Sequence, residues 1–94
     1  MSKKAVVQGF SRLFHVLSDQ TRLTLLLTLK DEGELNVTDL CTRLRLPQPT
    51  VSHHLALLRT SGLVKNRRSG KQVYYSVDKT RFVKARAAAA EVLS

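Results

Sequence analysis

What the chain lacks narrows its role before what it contains. Its one cysteine, Cys41, excludes an intrachain disulfide, and nothing points to an oxidising compartment. No apolar run approaches the roughly 18 residues of a membrane span. Behind Lys3 and Lys4 the apolar residues are soon interrupted by Gln8, Ser11, Arg12 and His15, so no secretory leader is expected. The glycines are dispersed at 9, 33, 62 and 70, which leaves no glycine-rich loop to cradle a phosphate. No acid pair or nucleophile–base pair stands out either. The expectation is a cytoplasmic protein that is not an enzyme and uses no cofactor and no membrane.

Acid is the other scarcity. Seven Asp and Glu against sixteen Lys and Arg leave a net charge of +9 on 94 residues, a surplus that attracts polyanions, of which nucleic acid is the commonest. The surplus is uneven. From Arg59 to Arg86 only Asp78 interrupts the basic residues, whereas Asp31, Glu32, Glu34 and Asp39 crowd a stretch with no base. That polarity favours a binding face over a merely solubilising shell. The length fits a single domain, 1–94. A domain of this size buries only about two-thirds of its unfolded surface, so pairing with a copy of itself would add to a modest core.

The apolar pattern gives helices first. Phe10, Leu13, Phe14 and Leu17 recur at i, i+3, i+4 and i+7, marking an amphipathic helix from Ala5 to Leu17. Ser18 offers an N-cap to a second helix beginning at Asp19, apolar on several sides and therefore central. A turn is expected over Lys30 to Glu34 around Gly33, and Asn36 can cap a third helix. Arg45-Leu46-Pro47 ends it, and a fourth begins near Pro49, at its first position, and stops by Gly62. The period then changes to that of a β-hairpin with a Ser69-Gly70 turn, Val73, Tyr75 and Val77 sharing one face. A last helix runs from Thr80 to Leu93. The chain thus reads as mainly α with a small β-hairpin, a winged helix-turn-helix of order α-α-α-α-β-β-α. The helix-turn-helix spans about 37–61, the wing about 63–77, and the flanking helices about 5–17 and 80–93.

In such a unit the second helix of the pair reads the DNA major groove. At about 100° per residue, Val51, Leu55 and Leu58 form the buried stripe of the fourth helix. Its outward N-terminal turn then shows Gln48, Thr50, Ser52 and His53, hydrogen-bonding groups suited to base edges and phosphates. His54 falls at the edge of the stripe and reads as a partly buried imidazole bonded to a neighbour. Adjacent helical residues do not face each other, and zinc takes three or four ligands. His15, Cys41, His53 and His54 therefore make no metal site. In the hairpin, Arg67, Arg68 and Lys71 flank the tip, where a wing can follow phosphates or enter the minor groove. The plainer reading is a solvated hairpin whose charges guard an edge strand.

The segments LSDQTRLTLLLTL (Leu17 to Leu29), ELNVTDLCTRL (Glu34 to Leu44), QPTVSHHLALLRTSGLV (Gln48 to Val64) and RRSGKQVYYSV (Arg67 to Val77) resemble, in order and spacing, the ArsR/SmtB family of bacterial transcriptional repressors. The resemblance implies a homodimer through its first and last helices, on double-stranded DNA, with two reading helices in successive major grooves of an imperfect palindrome. It places groove contacts on Gln48, Thr50, Ser52 and His53 and wing contacts on Arg67, Arg68 and Lys71. It also implies release from DNA by a metal or another signal, but here the chain departs from the family. Where a family metal site reads ELCVCDLC, this chain has Asn36 and Thr38 for the two CxC cysteines, and a soft-metal site loses its main ligands. The last helix lacks the histidines of a second family site. Cys41 alone reads as a buried apolar filler, and no effector is identified. The alternatives are a non-specific architectural or RNA-associated winged-helix protein, and a protein-interaction module using the alanine-rich last helix.

Overall fold

The computed structural model describes residues 2–93. Among them the elements run α1 (Lys3–Leu17), α2 (Gln20–Glu32), β1 (Glu34–Asn36), α3 (Val37–Leu44), α4 (Gln48–Thr60), β2 (Val64–Ser69), β3 (Gln72–Val77) and α5 (Lys79–Leu93). The fold is a winged helix-turn-helix, and between the expected turn, which ends at Glu34, and the Asn36 cap it holds a short further strand, β1. The sheet is antiparallel in the order β1-β3-β2, so the strand entering α3 is bonded directly to the wing.

Local chemistry fixes the element ends. Asp19, not Ser18, caps α2: its Oδ1 accepts from the Arg22 N–H at 3.0 Å. A carboxylate suits the positive end of the helix dipole better than a hydroxyl, and the Ser18 hydroxyl instead donates to the His15 carbonyl at 2.8 Å. Asn36 caps α3 as expected, its Oδ1 accepting from the Asp39 N–H at 2.7 Å. The turn into α4 is tight because Arg45 takes the left-handed conformation, φ +56° and ψ +45°, and the Leu46 N–H donates back to the Cys41 carbonyl at 3.2 Å. Helix α4 starts at Gln48, with Pro47 as the N-cap, so Pro49 holds the second helical position instead of the expected first. Neither position has an intrahelical acceptor, so the missing N–H costs nothing.

The end of α4 is a Schellman motif. The Gly62 N–H donates to the Arg59 carbonyl at 2.9 Å and the Leu63 N–H to the Leu58 carbonyl at 3.0 Å. Gly62 takes φ +81° to close it. The hairpin turn lies one residue later than expected. Ser69 pairs with Gln72, leaving Gly70-Lys71 as the loop, with glycine alone at positive φ, +61°. A two-residue loop with glycine first is the type II′ arrangement, whose twist matches the strands it joins.

The core gathers Leu25 and Leu29 of α2, Leu40 of α3, and Val51, Leu55 and Leu58 of α4, all fully buried, closed over by Leu35, Leu63 and Val64. Each of the buried leucines contributes about 1.5–3 kcal/mol by leaving water. The stripe expected on α4 is therefore its seat, and α2 is central, although Leu23 and Leu27 point outward. The flanking helices differ. Helix α1 buries only Phe10, and α5 buries no residue fully. Val7, Phe14, Val83, Val92 and Leu93 stay exposed among the described residues.

Candidate nucleic-acid interface

Helix α4 is divided by burial. With Val51, Leu55 and Leu58 fully buried, Gln48, Ser52 and His53 stand exposed, His53 with the small Ala56 on the side away from the stripe, and Thr50 is half-buried at the edge. The side chains of Gln48, Thr50 and Ser52 make no hydrogen bond among the described residues. Their donors and acceptors remain available to a ligand. The exposed N-terminal turn is thus polar, short-chained and uncommitted, as a surface entering a groove must be.

The two histidines divide. His53 points to solvent, its ring edge-on to that of His54 with centroids 5.5 Å apart. His54 is half-buried, and its Nδ1 lies 3.2 Å from Arg22 Nη1. Arg22 also donates from Nε to the Val16 carbonyl at 2.6 Å, which ties the last turn of α1 and the first of α2 to α4. Asp19 Oδ1 lies farther from His54 Nδ1, at 3.9 Å. The shorter contact governs, because an arginine can only donate. Nδ1 is therefore the acceptor in this contact. Asp19 serves the α2 cap, and the Arg22 backbone N–H it accepts, with the Arg22 guanidinium beside it, holds its carboxyl below the ordinary value.

The wing residues separate in a way the sequence reading did not draw. Arg67 pairs with Tyr74 and Arg68 with Val73, so alternation puts the two arginines on opposite faces of the sheet. Arg68 and Lys71 are exposed, with no hydrogen bond or ion pair among the described residues. Arg67 is engaged. Its Nε lies 3.0 Å from Glu34 Oε2 and its Nη2 2.6 Å from Glu34 Oε1, while its guanidinium carbon sits 4.6 Å from the centroid of the Tyr74 ring. Hydrogen bonding from Arg67, reinforced by the charges of Arg67 and Lys65, holds the Glu34 carboxyl below its ordinary value. The partner is 33 residues away in sequence, out of reach of a local pattern. The period of the hairpin alone, however, sets Lys65, Arg67 and Ser69 apart from Arg68.

The residues at the family's metal position are otherwise occupied and do not fit that ion. Asn36 spends its side-chain oxygen on the α3 cap, Thr38 is exposed, and the free Cys41 is half-buried against the core. Asp78 likewise caps α5, accepting from the Arg81 N–H at 3.2 Å. Among the described residues no three of His, Cys, Asp and Glu come together as metal ligands, and no helix is long and apolar enough to cross a membrane.

The family described as bacterial regulatory protein, arsR family, matches residues 19–66. The arsenical resistance operon repressor of Escherichia coli K12 is 55% identical over 64 residues, covering 68% of this chain and 55% of the repressor. The transcriptional activator HlyU of Vibrio cholerae is 42% identical over 79 residues, covering 84% of this chain and 68% of HlyU. The solved structure of HlyU from Vibrio cholerae N16961 superposes with a TM-score of 0.76 at 35% identity, over 99% of this chain and 97% of that one. The chain spans about half the length of several curated relatives that it matches, 55%, 56% and 49%.

Proposed function

The chain belongs to the arsR family of bacterial regulatory proteins, and on that premise we propose that it is a cytoplasmic, dimeric, sequence-specific DNA-binding repressor of transcription. The observation that carries the reading is the division of α4: a fully buried stripe seats the helix, and an uncommitted polar turn is presented opposite it. Gln48, Thr50, Ser52 and His53 enter the major groove and meet base edges. Arg68 and Lys71 neutralise phosphates beside it, with Arg67 as a third wing cation.

The helix-turn-helix over about 37–61 and the wing over about 63–77 form the DNA-facing half of a single domain, 1–94, and the flanking helices form the other half. A second copy covers the exposed apolar residues of α1 and α5. Between these helices and the end of α4 lies a groove of about 960 Å³, lined by Ala5, Gly9, Leu13, Leu57 and Ala88 among others, which a partner helix can enter because small residues permit close approach. A twofold dimer implies an imperfect palindrome with half-sites about one helical turn apart. With Asn36 and Thr38 in place of the family's two cysteines, a soft metal is not its signal. Cys41 is a core filler, so Cys41→Ser leaves DNA affinity and its response to oxidant unchanged.

Selecting bound fragments from genomic DNA with the purified protein tests the reading. Recovery of a shared imperfect palindrome supports it. Recovery of no common sequence favours the non-specific architectural alternative, which the +9 charge alone would also support. Sedimentation of a monomer at micromolar concentration contradicts the palindrome.

A further inference from the structure

Strand β1 sets an acid against the wing, where a phosphate-binding surface has least use for one. A guanidinium recognises carboxylate and phosphate with the same fork, two parallel N–H···O bonds from one edge. Glu34 occupies that fork on Arg67 through both its oxygens, at 3.0 and 2.6 Å. Tyr74 lies against the guanidinium at 4.6 Å, which further restricts where the arginine can swing. The pairing is built into the sheet. Glu34 pairs with Ser76 and Arg67 with Tyr74 on the shared strand β3, so both side chains rise from the same face on either side of it. Arg68 and Lys71 have no such partner among the described residues.

We infer that Glu34 is a specificity-determining residue: its carboxylate stands in for a phosphate on Arg67 and withholds one wing cation from non-specific duplex. The inference rests on the DNA-binding reading above. Any duplex is lined with phosphates, so a freely available arginine strengthens binding to all sequences alike. An arginine held by a carboxylate is given up only where the wing seats closely enough to replace both hydrogen bonds. That condition is met at a site that also satisfies α4, and it is not met on random DNA. The pair thereby weakens the competing background more than the intended complex.

The test is binding of the 94-residue chain to a random-sequence duplex over a salt series, with wild type, Glu34→Gln, Arg67→Ala and the double variant. Glu34→Gln is expected to bind roughly threefold to tenfold tighter at low salt, with a salt slope steeper by about 0.9, the contribution of one more phosphate contact. Arg67→Ala, which bares the Glu34 carboxylate beside the wing, is expected to bind no tighter than wild type, and in the double variant to abolish the gain. A Glu34→Gln protein that binds no tighter overturns the inference. So does a gain that survives in the double variant, whose net charge equals that of wild type, since the gain would then not run through Arg67. A double variant with a slope shallower than wild type by about 0.9 overturns it too, because Arg67 would then already contact random DNA. Wild type that binds no duplex at low salt removes the DNA-binding reading itself, a distinct result.

Discussion

Arg22 joins three helices through His54. Its Nη1 meets the His54 Nδ1 of α4 at 3.2 Å while its Nε holds the Val16 carbonyl of α1 at 2.6 Å. The orientation of the reading helix is therefore set by a polar clasp as well as by its buried leucines. The neighbouring His53 has no part in the clasp and faces outward.

The two histidines are expected to fail differently. His54→Ala leaves a half-buried arginine donor without its acceptor and should cost about 1–2 kcal/mol of folding stability, read as a lower Tm. His53→Ala should leave the Tm unchanged and cost about 1–3 kcal/mol of affinity for the selected DNA, relaxing specificity at one position. Equal stability losses from both would contradict the assignment.

Arg68 tests the wing. Exposed and unpaired among the described residues, it is expected to contribute to all sequences alike. Arg68→Ala should weaken selected and random duplexes by similar factors and reduce the salt slope by about 0.9. A loss confined to the selected sequence would place Arg68 on a base instead.

Much of this arrangement is legible in the sequence because it is local. The α4 stripe follows from helical period, the Asn36 cap from its own side chain, and the hairpin from alternation bounded by a glycine. What escaped depends on distant partners. Strand β1 is only Glu34–Asn36, too short to alternate recognisably, and it exists because Leu35 pairs with Tyr75. The Glu34–Arg67 fork and the Arg22–His54 contact likewise join residues that only the fold brings together. The shifts at Asp19, Pro49 and the hairpin turn are of one residue, where two adjacent groups compete for one role and neither pattern nor propensity separates them.

Gly62 is fixed by its backbone. Its φ of +81° is one that a side chain resists, whereas the atom a Cβ would approach, Arg81 Nη1 at 2.9 Å, ends a flexible, exposed side chain that can swing aside. Gly62→Ala should cost about 1–2 kcal/mol from the backbone. Adding Arg81→Ala should recover little of it. A substitution without effect on thermal unfolding would contradict the Schellman end of α4.

Acid should weaken the fold through Asp19. Its carboxyl is held below the ordinary value of 3.8, first by the Arg22 backbone N–H and then by the Arg22 charge. A carboxyl lowered in the folded state binds fewer protons than in the unfolded chain, so its contribution is complete above the ordinary value and lost as pH falls through the lowered one. Asp19→Asn keeps a capping oxygen and removes the titration. Its Tm deficit relative to wild type should be present at neutral pH and should shrink below the ordinary carboxylate range. A deficit constant with pH would show that Asp19 acts as a cap without its charge.

The most direct measurement is the ratio of affinities, at physiological salt, for the duplex recovered by selection and for a random duplex of equal length. A ratio of at least about 10³ is expected, falling sharply in His53→Ala and in Ser52→Ala while both remain folded. Equal affinity for the two duplexes would contradict sequence-specific reading by α4 and leave a basic winged helix that binds DNA by charge alone.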